Sequence, residues 1–136
     1  MKSPEKGDPL PALIFDFGGP VLLTPFELRH QGEDLLGLKR GSLSWSGPFD
    51  PEADPDWRDF QNEIINEREY WKLQVEHFSE LMGKNMTMKE LMAALYAGPE
   101  SELVRPMARE LLRDAQSHGI PVGMLTNDLT SFHGTE

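Results

Sequence analysis

Apolar residues along this chain come first as an unbroken run, then at helical spacing, then as a second unbroken run. Ala12-Leu13-Ile14-Phe15 leads into Asp16 and the glycine pair Gly18-Gly19. An apolar run without alternation predicts a strand buried on both faces. A short patch, Val21-Leu22-Leu23, follows the glycine turn. Thr24-Pro25-Phe26-Glu27 has the spacing of a capping box with proline at the first helical position, predicting a helix that opens there and closes near Gly37. Residues 38–55, rich in Gly, Ser, Pro and Asp, read as a loop carrying Trp45 and Phe49. Asp54-Pro55 starts a short helix with Trp57, Phe60 and Ile64 on one face. Asn66 with Glu69 caps a longer helix whose Trp71, Val75, Phe78 and Met82 share a face and whose stop is Gly83. Thr87 with Glu90 opens another through Leu91, Leu95 and Tyr96 to Gly98-Pro99. A last helix runs from Pro106 through Leu111, Leu112 and Ala115 to His118. Gly119 and Pro121 end it, directly before a second strand, Val122-Gly123-Met124-Leu125.

Strand, helices, strand is an α/β order. An acidic residue at the end of a buried strand, followed at once by glycines, leaves a carboxylate at the strand's carboxyl edge and a backbone free to wrap a ligand. In open α/β sheets that edge is where ligands bind. The second strand ends in Thr126-Asn127-Asp128, which puts a hydroxyl and an amide at what is expected to be the neighbouring strand's edge.

Composition narrows the chemistry. At 136 residues the chain fits one domain, or one domain with a small insert, and three Trp with seven Phe give it bulk for a core. A formal charge of −10 disfavours nucleic acid and anionic membrane as partners, since both need a basic surface. An anionic substrate then requires a local positive device, such as a metal ion or a helix N-terminus. The absence of cysteine excludes disulfides, thiolate zinc sites and thiol catalysis. The polar, proline-broken N-terminus shows neither a signal peptide nor a membrane span, so a cytoplasmic protein is expected. His30, His77, His118 and His133 lack metal-ligand spacing and read as structural or surface residues. Trp45, Trp57 and Trp71 read as core, and the acidic stretch Asp50 to Asp59 as a solvated loop and helix start. Arg29 and Arg40 are cations that could reach a substrate carboxylate.

Asp16 with its glycines, the helical insert, and Thr126-Asn127 after a second strand form a pattern that resembles the haloacid dehalogenase (HAD) superfamily of aspartate-nucleophile hydrolases, mostly phosphatases, in its helical-cap (C1-type) subgroup. The segment from Arg105-Pro106 through Gly119-Ile120-Pro121-Val122 to Thr126 is similar to the family's approach to its second motif. The resemblance implies a Rossmann-like core of residues 1–23 and 99–136, with an incomplete parallel sheet, and an α-helical cap of residues 24–98. It implies Asp16 as the nucleophile that becomes an aspartyl-phosphate. Mg²⁺ would be held by the Asp16 carboxylate and the Gly18 carbonyl, and Thr126 would hydrogen-bond a phosphate oxygen. The N–H groups of Asn127 and of the Phe17–Gly18 turn would donate further. The implied substrate is a small phosphorylated metabolite.

Two departures shape the expectation. The family's phosphatases usually carry a second Asp two residues after the nucleophile, as acid and base; here Gly18 stands there. Beyond the Thr motif only Leu129 to Glu136 follow, with no lysine and one acid, so the family's Lys motif and acidic metal pair are not in this chain. The expectation is a chain truncated after the Thr motif, with an unpaired sheet edge that favours self-association into a homodimer. Two alternatives stand beside the phosphatase: a dehalogenase using Asp16 without metal, and a non-catalytic HAD-like module that acts by binding.

Overall fold

The computed structural model describes residues 11–126 and gives a mixed α/β chain with six helices and a two-stranded parallel sheet. The elements are β1 (Leu13–Asp16), α1 (Arg29–Leu36), α2 (Pro55–Gln61), α3 (Glu67–Met82), α4 (Met88–Leu95), α5 (Glu100–Leu103), α6 (Pro106–Ser117) and β2 (Val122–Leu125). They fall into two compact units. Among the described residues, one holds those up to Leu23 together with Glu100 to Thr126; the other is Thr24–Pro99.

In the first unit β1 and β2 pair in parallel, Leu13 opposite Val122 and Asp16 opposite Leu125. The ladder extends one bond past each end: Leu13 N–H donates to the Pro121 carbonyl (2.9 Å) and Phe17 N–H to the Leu125 carbonyl (2.8 Å). α6 lies against β2 and buries Ala108 and Ala115. Its start is set by the dipeptide Arg105-Pro106. A residue before proline is pushed to extended backbone, and Arg105 has φ −63° and ψ 128° with Pro106 as the first helical residue.

One expectation for this unit is corrected. β1 is not buried on both faces: it alternates, and Ile14 is 62% exposed with Leu125 at 66%. Two strands among the described residues leave one sheet face uncovered, so a sequence suited to a fully buried strand shows alternate side chains to solvent. On α6 Leu111 is exposed, and the helix's buried residues are the two alanines. α5 was not legible beforehand, being four residues long.

The second unit is built on aromatic rings. Phe26 and Trp57 meet edge to face with centroids 5.2 Å apart, Phe26 and Trp71 lie at 5.4 Å, and Tyr70 contacts both Trp57 (5.5 Å) and Trp71 (5.2 Å). Trp45 completes the stack against Trp71. Leu28, Leu43, Phe78, Leu91, Met92 and Leu95 fill the remaining core. α1 packs on α4 at Gly32, where an added Cβ would meet Leu95 Cδ2 at 2.7 Å. The capping boxes Asn66/Glu69 and Thr87/Glu90 are both formed, and Gly37 and Gly83 close their helices in left-handed conformation.

Three boundaries shift. The Thr24/Glu27 box forms, with Thr24 N–H donating to Glu27 Oε2 at 2.8 Å, but regular helix begins only at Arg29. The Pro25 carbonyl accepts from the Trp45 indole N–H (3.3 Å), and Pro25–Leu28 form a turn. α2 ends at Gln61; Glu63 then takes φ 58°, which turns the chain and leaves Ile64 exposed rather than on the helix face with Trp57 and Phe60. α4 ends at Leu95, short of Gly98-Pro99.

The acidic stretch 50–59 is also corrected, because Asp54 is buried. Its carboxylate accepts from the N–H groups of Ser46 (3.0 Å), Gly47 (2.9 Å) and Trp57 (3.0 Å) and from the Tyr70 hydroxyl (2.7 Å). A second buried carboxylate, Glu33, accepts from Gly41 N–H (3.1 Å) and Leu43 N–H (2.9 Å), with His30 Nδ1 at 2.9 Å. These two side chains give the irregular loop 38–54 the partners its backbone lacks in regular structure. Burial alone pushes a carboxyl pKa up; at Glu33 the hydrogen bonds from His30, Leu43 and Gly41 outweigh it, and the pKa lies below the ordinary value.

Two outcomes follow. Tyr70→Phe leaves Asp54 short of a donor inside the core, and is expected to cost about 1–3 kcal/mol in urea unfolding. Glu33 has a lowered folded pKa, so its contribution is complete above the unfolded value of about 4.3 and drains away as pH falls through the folded pKa. Unfolding free energy measured against pH should therefore drop below about pH 4 in the wild type. Glu33→Gln should be less stable by about 1–3 kcal/mol at pH 7, with a flatter acid limb.

Candidate active site

The site is assembled from the carboxyl ends of β1 and β2 and the turn that follows β1. Because the strands are parallel and in register, Asp16 ends one strand opposite Leu125, and Thr126 is the residue next after Leu125. Both residues are exposed at this edge. The pairing thus brings to one edge of one sheet a carboxylate and a hydroxyl that most of the chain separates.

The turn after Asp16 is closed by its own backbone. Val21 and Leu22 N–H both donate to the Phe17 carbonyl (3.3 and 3.0 Å), and Gly19 N–H returns a bond to the Leu22 carbonyl (2.9 Å). The resulting bridge between Gly18 and Leu22 uses the Phe17 carbonyl and the Gly19 N–H, leaving Gly18's own N–H and carbonyl outside the pair. Gly19 sits at φ 102°, a conformation that strongly favours glycine. Gly18 is exposed, and an added Cβ there would have nothing within 4 Å. At Gly18 the backbone near Asp16 is therefore exposed.

A second set of bonds ties the turn to the residues before α6. Leu23 N–H donates to the Leu103 carbonyl and Arg105 N–H to the Val21 carbonyl (2.8 Å each). The Arg105 guanidinium donates through Nε to the Gly19 carbonyl. Sequence reasoning missed Arg105 as a site residue; its one signal was its position before Pro106, which fixes an extended backbone.

Of the remaining sequence candidates, Gly18 lies in the turn as described, whereas the Phe17 N–H, expected to donate to a phosphate, is bonded to the Leu125 carbonyl; Asn127 and His133 fall outside the described residues. Arg29 donates through Nη1 to the Trp45 carbonyl (2.7 Å), and Arg40 pairs with Asp34 (2.9 Å), so both cations are engaged within their own unit. His30 meets Glu33, His77 Nε2 lies 3.2 Å from the Ser42 carbonyl, and His118 Nδ1 lies 2.7 Å from the Asp114 carbonyl.

Among the described residues no group of three or more His, Cys, Asp or Glu side chains is gathered for a metal. The site does offer two hard oxygen donors, the Asp16 carboxylate and the Gly18 carbonyl. Mg²⁺ is commonly held by one or two carboxylates with water and substrate phosphate completing its shell, so this donor set fits such an ion. No helix of the described residues is long and apolar enough to cross a membrane. The chain matches no family model, no curated protein and no solved structure.

The two glycines make opposite forecasts. Gly19→Ala forces a side chain into a positive-φ position and is expected to destabilise by about 1–3 kcal/mol. Gly18→Ala meets open space and should lie within about 0.5 kcal/mol of wild type. Thermal melts of both variants check this, and equal melting points would contradict the turn geometry.

Proposed function

We propose that the chain is a HAD-type hydrolase, Mg²⁺-assisted, acting on a small phosphorylated metabolite with Asp16 as nucleophile. The proposal places a Rossmann-like core in residues 1–23 and 99–136 and an α-helical cap in residues 24–98. What carries it is the parallel register of β1 and β2, which sets a strand-end carboxylate and a strand-end hydroxyl on neighbouring strands beside an open glycine turn. Phosphoryl transfer needs a nucleophile, charge neutralisation and donors for the phosphate oxygens, and little else from the protein.

An Asp16 carboxylate oxygen attacks phosphorus, and the bond from phosphorus to the leaving oxygen breaks. The phosphoryl group is then an aspartyl-phosphate, and water hydrolyses it to inorganic phosphate with return of the carboxylate. Thr126 donates its hydroxyl to a phosphate oxygen, as does the Gly18 N–H; the Phe17 N–H is already bonded to the Leu125 carbonyl. The Asp16 carboxylate and Gly18 carbonyl would hold Mg²⁺, whose charge offsets that of the phosphate when bound. Since Gly18 stands where the phosphatases have an acid, the departing oxygen takes its proton from water. Substrates with good leaving groups are therefore favoured.

Gly18 also favours a second reading, a HAD-like module that binds a phosphorylated ligand without turning it over. Displacement of halide from a haloacid by the same carboxylate is the remaining alternative, and it needs no acid and no metal.

Incubation with Mg²⁺ and p-nitrophenyl phosphate, followed by an alkyl phosphate panel, is expected to release phosphate, faster from the aryl ester. Asp16→Asn and chelation of Mg²⁺ should each reduce release to background. Chloride release from 2-chloropropionate without metal would favour the dehalogenase. Phosphate-ester binding with no turnover would favour the binding module.

A further inference from the structure

We infer that Arg105 is a positioning residue for the Asp16 turn. Its guanidinium locks the Gly19 carbonyl so that the Gly18 backbone faces the substrate phosphate, a role that rests on the phosphatase reading above.

Four observations in one compact unit carry this. The turn reaches Gly19 at φ 102°, and among the described residues its internal backbone bonds run between Phe17, Gly19, Val21 and Leu22 and do not engage the Gly19 carbonyl. Arg105 supplies that carbonyl's bond through Nε. The same residue grips the turn a second time, its own N–H donating to the Val21 carbonyl at 2.8 Å, and the short antiparallel bridge between Leu22 and Val104 aligns the two segments. Pro106 fixes Arg105 in extended backbone, so the side chain leaves a rigid point rather than a flexible loop.

The chemistry favours arginine at this place. A charged donor to a carbonyl makes a stronger bond than a neutral one, and the planar guanidinium holds its direction where an ammonium on a flexible stem does not. Orientation of the Gly18 peptide matters because its N–H and carbonyl are the groups outside the turn's own bridge. Small misplacements of such donors cost large factors in rate.

The test uses the full chain with Arg105→Gln and Arg105→Lys, variants that keep the stem while removing or reshaping the donor. Circular dichroism verifies the fold. Two readouts are taken: hydrogen exchange of the Gly19 and Leu22 amides, and ¹⁹F NMR of the adduct that Mg²⁺ and beryllofluoride form on Asp16 as a mimic of the aspartyl-phosphate. Arg105→Gln is expected to speed exchange at both amides at least tenfold and to weaken the adduct at least tenfold, with Arg105→Lys recovering part of each. Unchanged exchange, or an adduct as tight as in wild type, would overturn the positioning role. Absence of any adduct in wild type, with Asp16→Asn as the control, would overturn the phosphatase reading instead and this role with it. A variant that fails to fold leaves the decision to the other, since either readout on one folded variant suffices.

Discussion

The pairing of two four-residue strands from opposite ends of the described chain is the constraint on which the site depends. Closing so long a loop costs conformational entropy, and a two-stranded sheet is marginal by itself. The structure offsets this in three ways. Bonds to the Pro121 and Leu125 carbonyls lengthen the ladder, α6 lies against β2, and the turn after β1 is bonded to the segment that leads into α6. The site edge is thus held by backbone bonds from two directions. The opposite cost is visible in Ile14 and Leu125, apolar residues left on an uncovered face of the sheet.

The Thr24–Pro99 unit obeys a different rule. Its long loop has little regular structure, so its backbone N–H groups need partners, and two buried carboxylates supply them. Glu33 collects Gly41 and Leu43, while Asp54 collects Ser46 and Gly47 as well as the first turn of α2. A buried charge is tolerated only when it is fully hydrogen-bonded, and each of these is. Burial and the bond to Asp54 both raise the Tyr70 pKa, which keeps that hydroxyl protonated as a donor. The aromatic stack and the Asp54 hub meet at this residue.

Local signals were legible in the sequence wherever a few adjacent residues determine the outcome. Capping boxes at Asn66 and Thr87, glycine stops at Gly37 and Gly83, and the strand ends at Asp16 and Leu125 all follow from chemistry within one turn of chain. Signals set by distant partners were not legible. Asp54 was legible as a helix cap, but its burial was not, because the Tyr70 hydroxyl that bonds it lies sixteen residues away in the chain. Helix start after Thr24 moved because Trp45 takes the Pro25 carbonyl. The candidate site divides in the same manner. Asp16, Gly18 and Thr126 announce themselves by type and position, whereas Arg105 becomes a site residue only when the turn folds against the entry to α6.

That division bears on the proposed site, which has few side chains. Asp16 and Thr126 are the proposed functional groups, and the backbone between Phe17 and Leu22 follows Asp16 directly. Backbone can present its N–H and carbonyl outward only if the rest of the turn is satisfied inward. Gly19 permits the fold of the turn, the Gly18–Leu22 bridge satisfies its interior, and the 103–105 segment holds it from outside. Gly18 is then the residue whose peptide groups lie outside the turn's own bridge. A side-chain acid at that position would have added a proton donor. In the proposed hydrolysis, glycine there leaves proton transfer to water and to the leaving group, and the backbone's part in that proposal is to orient and neutralise rather than to protonate.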